Sequence, residues 1–157
     1  MNTILSIAST DTDYAEGKKL VMEYAGQLNF DLSFQQFDDE LLIFNSMYSA
    51  PDGGLIIASV DGVPAGVTCL RKSGTNGCEL KRMYVKKEFR GAGIGKLLLE
   101  GAIELARQLG YGIIRLDTDS SMRAAIRLYI KYGFKEIPPY RFNPHPTAGF
   151  FELKIDN

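Results

Sequence analysis

The chain has 157 residues, 45% hydrophobic and 24% charged, with a net charge of −1, which suits one soluble globular domain over residues 1–157. No apolar run approaches the roughly 18 residues that span a membrane, and MNTILSIAST lacks the basic n-region of a signal peptide. Cys69 and Cys78 are the only cysteines and nothing near them suggests a metal site, so reduced thiols, a cytoplasmic location and no metal are expected.

Taken in chain order, NTILSIAS reads as a strand. After the cap-like Asp11-Thr12-Asp13, residues Leu20, Val21, Tyr24, Ala25 and Leu28 recur at helical spacing. A second helix is predicted from about Phe34 to Tyr48, and Pro51-Asp52-Gly53-Gly54 breaks the chain. Three strands follow: LIIASV, an Asp61-Gly62 hairpin turn, AGVTCLR, a Gly/Asn loop through Gly77, and CELKRMYV. Strict alternation in the third puts Glu79, Lys81, Met83 and Val85 on one face. From Ile94, residues Leu97, Leu98, Ala102, Leu105, Ala106 and Leu109 mark one face of a helix. YGIIRLDT is a buried-looking strand. Met122 to Tyr132 form a helix with Ala125, Leu128, Tyr129 and Tyr132 in line, ending at the C-cap glycine Gly133. FKEI and GFFELKI close the chain around the loop PPYRFNPHP. The order β-α-α-β-β-β-α-β-α-β-β predicts a mixed α/β (α+β) sheet flanked by helices.

The charge is unevenly spread. Residues 1–78 carry 4 basic and 10 acidic side chains, and residues 79–157 carry 14 and 9. The basic half holds the turn RGAGIGK, in which Gly91, Gly93 and Gly95 precede a helix. Glycine allows close approach and unusual backbone angles, and helix-start N–H groups favour an anion. This suits a small polyanionic ligand better than nucleic acid; the alternative is that the two halves simply attract each other. A Walker A loop fails, because Arg90 stands where its first glycine belongs and Leu97 replaces its hydroxyl. A Rossmann fingerprint lacks its third small residue, although Asp117 lies about where its acidic partner belongs.

YVKKEFRGAGIGKLLLEGAIELARQLG resembles the acetyl-CoA-binding motif of the GNAT acetyltransferase superfamily, Arg/Gln-x-x-Gly-x-Gly/Ala, at Arg90, Gly93 and Gly95. AAIRLYIKYGFKEI resembles the family's A-x-x-L-Y-x-x-x-G-F signature at Ala125, Leu128, Tyr129, Gly133 and Phe134. The resemblance implies a mostly antiparallel sheet of about seven strands flanked by about four helices, splayed between strands 4 and 5. It implies acetyl-CoA as co-substrate, its pyrophosphate held at Arg90, Gly91, Gly93, Gly95 and Lys96, whose side chain either adds a charge or points to solvent. The backbone of Met83, Tyr84 and Val85 would meet the pantetheine arm. Met122 departs from the family's frequent Asn, leaving that contact absent or taken over by Ser120 or Ser121.

Acetyl transfer to an amine needs a proton acceptor, a stabilised oxyanion and a proton for the departing thiolate. Tyr129 matches the family's general acid; otherwise it is a core aromatic. Glu79 stands where several members place a base; otherwise it is a glutamate paired with Lys81. Neither cysteine is expected to carry an acyl group. His145, alone in its loop, reads as a surface residue. Tyr140 and Arg141 would read an acceptor carboxylate. The expected activity is N-acetylation of a small, amino-acid-like primary amine. A protein or peptide amine, and a coenzyme A-binding sensor without turnover, stand as alternatives. A homodimer stays open, and no nucleic-acid or membrane partner is expected.

Overall fold

The computed structural model describes residues 2–28 and 37–155. Strand β1 (Thr3–Ile7) leads into helix α1 (Asp11–Gln27). A capping box starts this helix: the Asp13 N–H donates to the Thr10 hydroxyl at 3.1 Å, and the Thr10 N–H donates back to the Asp13 carboxylate at 3.2 Å. Helices α2 (Phe37–Leu42) and α3 (Phe44–Met47) replace the single helix expected from Phe34 to Tyr48, whose residues 34–36 lie outside the described residues. The break falls at Ile43, with φ −118° and ψ 24°. It leaves Leu42 and Ile43 exposed while burying Phe44 and Tyr48.

Strands β2 (Gly54–Val60), β3 (Val63–Lys72) and β4 (Gly77–Val85) form the expected antiparallel meander. Asp61 and Gly62, both at positive φ, join the first two, as a two-residue hairpin turn matching the strand twist requires. Helix α4 (Ile94–Gln108), strand β5 (Ile113–Asp119), helix α5 (Arg123–Lys131), strand β6 (Lys135–Ile137) and strand β7 (Ala148–Lys154) complete the order. The seven strands form one sheet, β1-β2-β3-β4-β5-β7-β6, in which only β4 and β5 are parallel. One apolar cluster, including Ile56, Leu70, Leu80, Leu98 and Ile114, lies on the α4 side. The other, including Val21, Phe44, Leu55, Ile57 and Val67, lies on the α1 side. Adjacent residues of β2 alternate between the two, as a strand covered on both faces must.

Two irregularities shape the centre. In β4 a bulge places two residues, Arg82 and Met83, against the single Thr68 of β3, with Val67 opposite Tyr84 and Cys69 opposite Lys81. Arg82 sits in the bulge at φ 60°. An inserted residue reverses the alternation beyond it. Met83 and Val85 therefore pack on the α4-side cluster with Leu80, while Tyr84 joins the α1-side cluster. Glu79 and Lys81 do not share a face with Met83 and Val85, contrary to the expectation from strict alternation. Beside the bulge, β4 and β5 pair only from Gly77–Ile113 to Glu79–Arg115. Both strands continue beyond that point, and a cleft opens between them.

Candidate active site

At one end of the cleft lies the glycine turn. Gly91 (φ 87°) and Gly93 (φ 80°) both need the left-handed region, and a Cβ on either would point into open space. Gly93 is the N-cap of α4 and offers no side-chain cap. The first α4 bond runs from the Leu97 N–H to the Gly93 carbonyl at 3.2 Å, so the amides of Ile94, Gly95 and Lys96 precede the helical ladder. Gly95 has ordinary helical angles, and a Cβ there would only touch Leu128 at 3.8 Å. Nothing in the fold's own packing demands glycine at 95, and its lack of a side chain leaves the helix end open to an external group. The turn, Met83, Val85, Ala125 and Leu128 line one groove running from the helix end toward the cleft. Backbone donors at a glycine cradle, followed by an apolar groove, suit a diphosphate with a long thin arm. Arg90 braces this turn: its Nε donates to the Val85 carbonyl at 3.0 Å, and its guanidinium lies 5.8 Å from the Tyr84 ring centroid. Lys96 is exposed.

Tyr129 enters the cleft from α5, and the end of that helix sets its position. The Phe134 N–H donates to the Tyr129 carbonyl at 3.0 Å and the Gly133 N–H to the Ile130 carbonyl at 3.0 Å, with Gly133 at φ 96°. These are the two bonds of a Schellman motif, and the Phe134 ring packs on Tyr129 at 5.6 Å. The sequence signature L-Y-x-x-x-G-F is thus one structural unit. Burial raises the Tyr129 phenol above its ordinary value, so it carries its proton at neutral pH. Met122 lines the cleft, its sulfur accepting from the Thr118 hydroxyl at 3.5 Å, while Ser121 donates its hydroxyl to Asp119.

Glu79, 1% exposed, is a hub of charge. Its Oε1 accepts from Arg71 Nε at 3.0 Å and Nη2 at 2.9 Å. Its Oε2 accepts from the Tyr140 hydroxyl at 2.7 Å and Arg141 Nη1 at 2.9 Å. Burial raises its carboxyl, but Lys81, Arg71, Arg141 and the Tyr140 bond outweigh this and hold it near about 2. The structure therefore unites three residues expected at the site, but as partners of one another. Tyr140 and Arg141 reach an internal carboxylate. The same loop is tied down further on: Asn143 donates to Asp117 at 3.0 Å and Thr147 to Asp119. His145, expected at the surface, is half-buried and lines the cleft beside Asn143.

Beyond the bulge wall, Arg82 makes a buried bidentate pair with Glu40 of α2, at 3.1 and 2.8 Å, and lies 5.1 Å from the Phe37 ring centroid. Lys86 approaches Glu23 at 4.0 Å. The acidic and basic halves do attract each other at these pairs. Sequence reasoning missed Lys81, Tyr24 and Asp117 as lining residues. The one signal, for Lys81 alone, was the run of charge at Glu79, Lys81 and Arg82 inside an otherwise apolar strand. Cys69 and Cys78 are buried free thiols, each raised by burial. Among the described residues no cluster of His, Cys, Asp or Glu suits a metal, and no helix is long and apolar enough to cross a membrane.

Comparison with known proteins agrees with this geometry. The Acetyltransferase (GNAT) family profile matches residues 19–134. An uncharacterised N-acetyltransferase of Schizosaccharomyces pombe is 36% identical over 98% of this chain and 96% of its own length. A GNAT-family acetyltransferase from Staphylococcus aureus superposes with a TM-score of 0.78 at 21% identity, covering 98% of this chain and 100% of that one. The PaiA N-acetyltransferase of Thermoplasma acidophilum, solved in complex with coenzyme A, superposes at 0.72 with 22% identity, over 99% and 100%. The chain belongs to the GNAT acetyltransferase family. It is an acetyl-CoA-dependent acyltransferase.

Proposed function

We propose that the chain, as a single acetyltransferase domain, transfers acetyl directly from acetyl-CoA to a primary amine on a small, amino-acid-like acceptor. The observation that carries this reading is the separation of β4 from β5 beyond Glu79 and Arg115, where a cleft lined by Tyr129 and Lys81 adjoins, at Met83 and Ala125, the groove that leads from the glycine turn. Backbone N–H groups from Gly91 to Lys96 would hold the pyrophosphate, and the backbone of Met83, Tyr84 and Val85 the pantetheine arm. When bound, acetyl-CoA supplies the thioester carbonyl and a thiolate leaving group. Tyr129, protonated and buried, stands ready to give its proton to that sulfur.

Glu79, with both oxygens occupied and its carboxyl near about 2, is a poor proton acceptor. In this reading it positions Arg71 and Arg141. Each arginine remains partly exposed, with side-chain exposures of 28% and 20%. Two arginines, Arg71 and Arg141, share this one carboxylate, so the acceptor end favours an anionic group such as a carboxylate. The loop tethered by Arg141, Asn143 and Thr147 walls the cleft, which favours a small molecule over a lysine on a folded protein.

The test is calorimetric titration with acetyl-CoA, with NAD and ATP as controls, repeated on Gly93→Asp. Free-thiol release is then followed with amino acids, polyamines and a lysine-containing peptide. Binding of acetyl-CoA alone, lost in the variant, with release driven by an amino acid, supports the reading. Release driven only by the peptide overturns the small acceptor, and binding without release by any amine overturns the enzyme assignment.

A further inference from the structure

We propose that Lys81 is the group that takes the proton from the acceptor amine, a role that rests on the amine-acetylation reading above. The geometry has three parts. First, Lys81 lines the cleft shared with Tyr129, while its backbone belongs to β4 just before the bulge. Cys69, its partner across the ladder, lies in the α1-side core. Tyr129 belongs to the α4-side core. The two side chains thus come to one cleft from opposite faces of the sheet, so an amine and a thioester can meet between them.

Second, the strand carboxylate that could have served is already engaged. Both Glu79 oxygens are occupied by Arg71, Tyr140 and Arg141. Third, Lys81 is 5% exposed, with three arginines among its charged neighbours. On its own strand it faces Arg82 and Glu79, and from β3 it faces Arg71. The loop before β7 brings Arg141, Tyr140 and His145. Glu40 of α2, Asp117 of β5 and Tyr24 of α1 complete the surroundings. Burial and the repulsion of Arg82, Arg71 and Arg141 outweigh the pull of Glu79 and bring the ammonium down to about 7 from 10.5. A lysine so placed is neutral for part of its time at physiological pH, as a base must be.

The protons balance. The acceptor arrives as an ammonium and gives one proton to Lys81 Nζ, which later releases it to solvent. The C–N bond forms and the C–S bond breaks. The nitrogen's second proton replaces the one that Tyr129 has given to the sulfur. The products are an amide, a free thiol and one proton.

The test uses the full chain. Nζ resonances of 15N-lysine-labelled protein are followed against pH, with Lys81→Met assigning the peak. The pH profile of kcat/KM is measured with the amino acid that drives thiol release fastest, for the wild type, Lys81→Met and Lys81→Arg. Coenzyme A affinity by calorimetry shows whether each variant keeps its cofactor groove. The expected results are an Nζ midpoint near 7 that coincides with the rising limb of kcat/KM, and a loss of about 100-fold or more in both variants at unchanged coenzyme affinity. Arginine distinguishes a base from a mere charge, since it stays protonated. Activity in Lys81→Arg close to wild type, or an Nζ midpoint at the ordinary value of about 10, overturns the proposal while leaving the acetyl-transfer reading intact. A wild type that no amine stimulates overturns both.

Discussion

Phe134 and Tyr129 are the two ends of one Schellman turn, and the only left-handed residue between them is Gly133, at φ 96°. The ring that supports Tyr129 is therefore placed by a backbone conformation that side chains disfavour by about 1 kcal/mol or more. Gly133→Ala should lower the melting temperature by about 2–4 °C. It should also reduce kcat more than it weakens coenzyme A binding, because the shifted group is Tyr129. Tyr129→Phe should lower kcat by about tenfold or more with unchanged coenzyme affinity. Steady-state kinetics beside calorimetry checks both.

Gly95 separates a folding requirement from a binding one. A methyl group there meets only Leu128, at 3.8 Å, and alanine is the better helix former by about 1 kcal/mol. Gly95→Ala should leave thermal stability unchanged or raised while weakening acetyl-CoA binding. Equal loss of stability and affinity would show that the glycine serves the fold instead.

Glu79 should dominate acid sensitivity. Burial raises its carboxyl, yet Lys81, Arg71 and Arg141 bring it to about 2 from 4.5. The folded state then binds fewer protons than the unfolded state between those values. The stabilisation is complete above about 4.5 and is lost as pH falls toward 2. Glu79→Gln should be less stable at neutral pH by about 3 kcal/mol, since it leaves its cations buried without an anion. It should also lose less further stability than wild type on acidification, as read by circular dichroism from neutral pH down to pH 2.

Lys81 gives the same sign of pH dependence in a higher window. Its ammonium is depressed to about 7 from 10.5, so the unfolded chain holds a proton that the folded one has given up in that window. Stability contributed by this group rises as pH climbs from about 7. Lys81→Met should remove the rise, which chemical denaturation at pH 7 and 9 would detect.

The Glu40–Arg82 pair, with side-chain exposures of 2% and 3%, joins α2 to the bulge. Glu40→Leu or Arg82→Met alone should cost about 3–5 kcal/mol by leaving a buried charge without its partner. The double variant Glu40→Leu with Arg82→Met should be more stable than either single one. A double-mutant cycle in urea measures the coupling.

Local order was legible in the sequence. The helix faces, the Asp61-Gly62 turn, the glycine turn and the C-cap at Gly133 depend on residues within a few positions of one another, so spacing and turn chemistry reveal them. The second helix was read as unbroken, whereas the chain breaks at Ile43 so that Phe44 and Tyr48 are buried. The shared face of Glu79 and Met83 failed for a similar reason. A bulge is a relation between two strands, and no spacing within β4 announces it.

By itself the sequence determined the order of the strands, the glycine turn and the aromatic unit of Tyr129, Gly133 and Phe134, because each is a local consequence of propensity, handedness and period. Only the tertiary structure decided what the charged residues do. Arg71, Glu79 and Arg141 lie on three separate segments, and Lys81 acquires its environment from five. Electrostatics in a buried site depends on distance and desolvation, and both arise only when distant segments pack together.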